Sequence, residues 1–406
     1  IITDQGSRTS HAVIMARSIN VPAVVGLRNV TKLVKSGDIV IVDGFEGLVI
    51  VNPSEQSLFR YGKIRLQRQQ AQTVFHSNLH LPARTSDGCE VRMMLNVDGS
   101  ESSEELGRGG ADGIGLFRTE NLYLRSDSMP SEDEQYETYR RIVTAMAPKP
   151  VTIRTLDLGG DKQLGDSILT HQEANPFMGF RAIRLCLEHK SIFKEQLRAI
   201  LRASAHGPVK IMYPMISSVR ELVAANALLE DCKKELTALG RPFDAKIPVG
   251  SMIEIPGAAY TADLLAKHCN FFSIGTNDLI QYTLAVDRVN ERVADLYEPN
   301  HPAIMRTLKI IFDAGKKAGI PVSVCGEMAG DPAYAGLLFG MGASELSVAA
   351  GVLPEIKFFI RNVSMSDTTR MVAEVLALET PEDIARVLHR YYADHIGANL
   401  FAENRE

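Results

Sequence analysis

The sequence predicts an α/β protein, a (β/α)8 barrel of the TIM type preceded by part of a small β-rich domain. Two observations carry this. From about residue 89 short apolar runs end in polar clusters and are followed by helical stretches, over and over. Before residue 54 the chain instead shows brief Val-, Ile- and Gly-rich runs around one helix-forming segment. With 45% apolar and 23% charged residues over 406 positions, the chain can bury a core of that size.

The first segment with a signature is GSRTSHAVIMAR at 6–17. Thr9 and Ser10 are good N-cap residues and the run from Ala12 is helix-forming, so His11 stands at the mouth of a helix. A helix start offers free N–H groups and a positive dipole end, which suits a phosphate. A histidine there can take and release a phosphoryl group. The plainer reading is a core or surface histidine near a cap. Val21–Gly26 reads as a buried strand, 39–42 as a second with a turn after it, and 47–51 as a third. Residues 54–80 then read as a polar linker helix, with Ser54 and Glu55 at its start and Arg, Gln and Lys dominant to about Thr73. A coiled-coil arm would need sustained heptads, which are not obvious. The domains are therefore expected at 1–53, 54–80 and 81–406.

Eight strand candidates follow: 91–97, 113–117, 151–156, 209–215, 247–253, 271–274, 320–324 and 345–348. Amphipathic stretches separate most of them, the pattern of parallel strands joined by helical crossovers. A doubly wound open sheet is the competing architecture.

The net charge of −5 gives no basic footprint for nucleic acid. No apolar run approaches the ~20 residues of a membrane span, and the first residues are not a signal peptide. The five cysteines, Cys89, Cys186, Cys232, Cys269 and Cys325, are scattered with no CxxC pair. A reduced, cytoplasmic setting without a zinc site or disulfide framework is expected. The chain opens on Ile rather than Met, and we read it as starting inside a longer protein.

A barrel places its chemistry just after the C-terminal ends of its strands, and polar residues cluster there. Arg118 follows the second strand, Arg154 lies in the third, and Glu254, Asn277-Asp278 and Cys325 end or follow the fifth, sixth and seventh. Arg288 adds a possible third arginine. Arginines entering one mouth need anions, carboxylate or phosphate, although each alone could simply pair with a nearby acid. Glu254 and Asp278, on adjacent strand ends, could hold Mg²⁺ and leave positions for water and a phosphorylated substrate. The bland alternative is a pair of rim acids balancing the arginines. Cys325 could have its pKa lowered at a cationic mouth and exchange a proton with substrate; the bland alternative is a small buried hydrophobe.

These segments resemble Enzyme I of the bacterial phosphoenolpyruvate:sugar phosphotransferase system, the phosphoenolpyruvate–protein phosphotransferases. The resemblance rests on RTSHAVIMAR, GIGLFRTENLYL, RTLDLGGDK, EANPFMGFRAIR, MIEIPGAA, SIGTNDLIQYTLAVDR and CGEMAGDP, in that order along nearly the whole chain. It implies a swivelling phosphohistidine domain joined to a phosphoenolpyruvate-binding barrel, Mg²⁺ as cofactor, and a homodimer formed through the barrels. By the same resemblance His11 is phosphorylated, Arg118, Arg154, Asn277 and Arg288 bind substrate, Glu254 and Asp278 hold the metal, and Cys325 protonates the enolpyruvate carbon. The partners implied are phosphoenolpyruvate, pyruvate and the phosphocarrier protein HPr, with no nucleic acid and no membrane. Two departures stand out: Gly6-Ser7 replaces the usual glycine pair, and the helical subdomain that docks HPr would lie before residue 1. Relatives of pyruvate phosphate dikinase and phosphoenolpyruvate synthase share the two domains, and a regulatory nitrogen-type paralogue is a further alternative.

Overall fold

The computed structural model describes residues 1–6, 16, 21–44, 46–124, 129–159, 173, 175–290 and 292–400, leaving out the side chains of 108 and 397–400. The chain divides into two compact units, Ile1–Ser77 with Leu284–Glu298, and Asn78–Thr283 with Pro299–Glu406. His11 lies outside the described residues.

In the first unit β1 (Val40–Asp43) and β2 (Leu48–Val51) pair antiparallel, Val40 opposite Val51 and Asp43 opposite Leu48. Asp43 Oδ1 accepts the Glu46 N–H at 3.2 Å and braces the turn between them. The expected strand over Val21–Gly26 is reduced to a single parallel bridge between Ile2 and Val24. Gly26 takes a left-handed conformation (φ 75°), and the Leu27 N–H turns back onto the Thr3 carbonyl at 3.1 Å, so the pairing cannot extend. A helix of 23 residues runs over Glu55–Ser77, mostly exposed, with Phe75 buried.

The second unit is a closed barrel. Its strands are β3 (Arg92–Val97), β4 (Gly113–Phe117), β5 (Val151–Arg154), β6 (Val209–Tyr213), β7 (Val249–Ile253), β8 (Phe271–Ile274), β9 (Val322–Val324) and β10 (Glu345–Val348). Each pairs in parallel with the next, and β10 returns to β3 to close the ring. Most of these strands are buried along their whole length, which is why they read as continuous apolar runs rather than alternating ones. β5 and β6 end two residues earlier than expected, β3 begins one residue later, and β7 and β9 begin two residues later. Ile247 donates to the Asp244 carbonyl and Ile320 to Gly315, both turn bonds, and Pro248 and Pro321 have no N–H to give the ladder. Capping boxes start three of the outer helices, Ser102 with Glu105, Ser131 with Glu134, and Ser218 with Glu221.

Inside the barrel Leu116, Met212, Met252, Phe271 and Cys325 form a buried cluster. At the opposite end from the strand tips, the fully buried Lys357 on the helix Leu353–Arg361 donates to the carbonyls of Leu79, Leu81 and Gly110 at 2.9, 3.0 and 2.5 Å. All five cysteines are free. No helix among the described residues is long and apolar enough to cross a membrane.

Candidate active site

The C-terminal tips of β4 to β9 bring the chemistry-bearing side chains of the second unit to one mouth. Arg154 is the last residue of β5 and is 8% exposed. Its Nη2 meets Glu120 Oε1 at 2.6 Å and its Nη1 meets Asp157 Oδ2 at 3.0 Å. Its Nε is buried with no hydrogen-bond partner among the described residues. The ion-pair reading of this arginine is thus partly right, yet one donor is left over, and a buried donor without a partner is costly. Arg118, one strand over, is exposed, and its backbone N–H donates to the Val97 carbonyl at 2.9 Å.

Sequence reasoning missed a buried arginine. Arg181 Nη2 bridges Asp157 Oδ1 at 2.8 Å and Asp278 Oδ2 at 3.2 Å, and its Nη1 donates to Tyr282 Oη at 3.3 Å. Tyr282 in turn donates to the Phe177 carbonyl. The signal was present in EANPFMGFRAIR, but Arg181 comes from the long connection after β5 rather than from a strand tip. Gly159 makes its place. With φ 112°, its missing Cβ would lie 2.5 Å from the Phe180 carbonyl and 2.6 Å from Arg181 Cβ. Gln196, on an outer helix, also went unseen. Its Oε1 accepts the Leu156 N–H at 2.8 Å and its Nε2 donates to Thr119 Oγ1 at 3.2 Å, tying the ends of β4 and β5 together.

Glu254 follows β7 and is 2% exposed. Its Oε1 accepts the Met215 N–H at 2.6 Å, where Met215 holds a left-handed φ of 55°. Backbone held in that region by a surrounding site is a mark of pre-organisation. A Cβ at Gly275 would stand 2.7 Å from Glu254 Oε2, so only glycine leaves the carboxylate room. Burial, and then the charges of Asp278 and Asp157, push the Glu254 carboxyl well above the ordinary range, against the pull of Arg154 and Arg181. The two acids thus act on one another in a dry site. Asn277, beside Asp278, exchanges hydrogen bonds with Glu327. Its Nδ2 donates to Oε1 at 3.2 Å, and its Oδ1 accepts the Glu327 N–H at 2.8 Å. Arg288 belongs to the segment Leu284–Glu298, which groups with the first unit.

Cys325 follows β9 and is 3% exposed. Ser273 Oγ donates to its Sγ at 3.3 Å. The expectation of a lowered thiol pKa is overturned. Burial among apolar neighbours pushes the thiol up, and the Ser273 hydrogen bond and the Arg154 charge offset this only in part. The group is held as a thiol, with a proton to give.

Two protein families match this chain. The family described as PEP-utilising enzyme, PEP-binding domain, matches residues 73–365, and PEP-utilising enzyme, mobile domain, matches residues 1–47. Curated relatives named phosphoenolpyruvate-protein phosphotransferase match along almost the whole chain. One from Listeria innocua is 44% identical over 393 residues, covering 97% of this chain and 68% of the relative. One from Geobacillus stearothermophilus is 45% identical over 391 residues, and one from Staphylococcus aureus is 42% identical over 389; each covers 96% of this chain and 68% of the relative.

Proposed function

Because the chain belongs to the PEP-utilising enzymes and, among them, to the phosphoenolpyruvate-protein phosphotransferases, we propose specific roles for the residues of its barrel mouth. The activity itself follows from the family: the protein is a transferase that moves the phosphoryl group of phosphoenolpyruvate in the phosphotransferase system. The residue roles are our reading. It is carried by one observation, a mouth in which two buried guanidiniums, four buried carboxylates and a buried thiol converge.

Arg118, Arg154 and Arg288 hold the carboxylate and phosphate of phosphoenolpyruvate, with the buried Nε of Arg154 supplying a donor already stripped of water. Arg181 keeps Asp157 and Asp278 in register. Asn277 is a further substrate contact, positioned by Glu327. Members of the family typically use a metal, and we assign Mg²⁺ to Glu254 and Asp278. Among the described residues no third His, Cys, Asp or Glu joins them, which suits an ion that keeps waters and substrate oxygens in its shell. When bound, such an ion neutralises charge on the phosphoryl oxygens as the P–O bond loosens.

His11 attacks phosphorus in line through a neutral imidazole nitrogen and becomes the phosphohistidine. Cys325 gives its proton to the enolate carbon, and pyruvate leaves. The phosphoryl group then passes to the carrier protein HPr. In this reading residues 1–53 belong to the mobile phosphohistidine domain, 54–80 form the linker helix and 81–406 the phosphoenolpyruvate-binding barrel. The protein works in the cytoplasm as a homodimer through its barrels.

The test is His11→Ala, incubated with labelled phosphoenolpyruvate and Mg²⁺. We expect no label on the protein and an unchanged melting transition. Label retained at the wild-type level would remove His11 from the mechanism.

A further inference from the structure

We propose that Ser273 is a positioning residue for the protonation step, its hydroxyl aligned on Cys325 Sγ to hold the charge left when the thiol gives up its proton. This rests on the reading of Cys325 as the proton donor.

The geometry is specific. Ser273 lies on β8 with none of its surface exposed, between Phe272 and Ile274. β8 and β9 pair with Ile274 opposite Val324, and the Cys325 N–H donates to the Ile274 carbonyl at 3.1 Å. Asn96 Nδ2 holds the Cys325 carbonyl at 3.2 Å. The backbone of Cys325 is thus held, its S–H donates to the Ile274 carbonyl at 3.6 Å, and the Ser273 hydroxyl reaches the sulfur at 3.3 Å. Other buried serines of the barrel strands behave differently. Ser323 Oγ donates to the Phe272 carbonyl, and Ser347 Oγ to the Leu95 carbonyl and to Asn96 Oδ1 at 2.7 Å, so neither faces a sulfur. Ser273 points its hydroxyl at the reactive atom instead.

The chemistry asks for such a donor. In the protonation step the S–H bond breaks, a C–H bond forms at the enolate carbon, and the sulfur is left as thiolate. Ser273 keeps its own proton throughout, and solvent reprotonates the sulfur after pyruvate leaves. The thiolate forms against an apolar layer of Leu116, Met212, Met252 and Phe271, where an anion without a partner is costly. The charged groups that act on it are Arg154 and Arg118, which favour the thiolate, and Glu254, which opposes it. A hydrogen bond to a charged group is worth about 10- to 100-fold in an equilibrium.

The experiment follows the methyl proton exchange of pyruvate in D2O with Mg²⁺, read by NMR. This isolates the carbon–proton step from phosphoryl transfer. Alongside it, the pH profile of iodoacetamide labelling at the Cys325 peptide is read by mass spectrometry on the protein without ligand. Ser273→Ala should slow exchange about 10- to 100-fold and move the labelling midpoint up by about one pH unit or more, with an unchanged melting transition. Cys325→Ser is the control and should exchange slower still. If Cys325→Ser exchanges at the wild-type rate, the proton-donor reading itself fails. If Cys325→Ser is silent while Ser273→Ala leaves the labelling midpoint unmoved, Ser273 is only packing and the proposal is overturned, whatever its exchange rate.

Discussion

The two ends of the barrel solve the same problem, a buried cation, in opposite ways. At the closed end the Lys357 ammonium uses all three of its donors on the carbonyls of Leu79, Leu81 and Gly110. At the mouth Arg154 and Arg181 are set among Glu120, Asp157, Asp278 and Glu254, acids in excess of bases, with Arg154 Nε unmatched and the Glu254 carboxyl pushed up. One end is saturated by the fold; at the other, Arg154 Nε has no hydrogen-bond partner among the described residues. A buried charge satisfied by neutral carbonyls marks architecture, and a buried charge network with orphan atoms and a perturbed acid marks chemistry.

The sharpest way to break this contrast is to exchange charge for shape at each end. Arg154→Met should cut turnover by about 10³-fold or more, because it removes the fork we propose to meet the substrate anion. The purified variant should still show the wild-type circular dichroism spectrum. Turnover within tenfold of wild type would make Arg154 a structural ion pair like any other. Lys357→Met should do the reverse. Leaving three half-buried carbonyls without this donor should cost about 3 kcal/mol in urea unfolding, while kcat per folded molecule holds. A change in kcat larger than the change in stability would show that the closed end is not merely architecture.

Gly159→Ala sharpens the contrast from the backbone side. A Cβ in that left-handed conformation, pressed on Phe180 and Arg181, should cost about 1–2 kcal/mol and displace Arg181 from its two acids. Weaker Mg²⁺ binding by calorimetry should accompany the lost stability, and unchanged metal affinity would uncouple Arg181 from Asp278.

The smallest effect is a gain. Because the Glu254 carboxyl is raised above its ordinary value of 4.5, the folded protein holds a proton there that the unfolded chain has lost. That contribution is fully present below about pH 4.5 and drains away as pH rises through the folded value. Glu254→Gln keeps an oxygen for the Met215 N–H and carries no charge. At pH 8 without metal it should unfold about 1–2 kcal/mol later than wild type, the gap narrowing toward pH 5, while turnover falls. A variant less stable than wild type at pH 8 would mean that the carboxylate already has adequate partners.

Much of this contrast was written in the sequence, but unevenly. The strands were legible because parallel barrel strands are buried on both faces and so appear as unbroken apolar runs. Their tips were legible because Arg118, Glu254 and Cys325 interrupt those runs abruptly. Most starts were legible too; those of β7 and β9 were not, since the turn bonds of Ile247 and Ile320 and the prolines beside them decide where the ladder begins, and β5 and β6 stop two residues before their expected ends. The motif around Arg154 could be recognised. Arg181 could not be placed, because its partner Asp157 is 24 residues away through a connection with no periodic signal. The direction of the Cys325 shift was misjudged for a related reason. Charge can be counted along a sequence, but how dry the place is where the charges meet cannot. The strand expected over Val21–Gly26 was read too long because a strand needs a neighbour, and Gly26 turns the chain away from it.

The hydrogen bonds around Cys325 also set when the protein can first act. Asn96, on the first barrel strand, grips the Cys325 carbonyl across 229 residues, and Ser347, on the last, grips Leu95 across 252. The earliest and latest strands to leave the ribosome are therefore the ones that frame the acid. A chain without β9 and β10 lacks the thiol's seat, since Cys325 follows β9. On the proposed reading of Cys325 as the proton donor, an unfinished ring would have no fixed acid with which to finish the reaction.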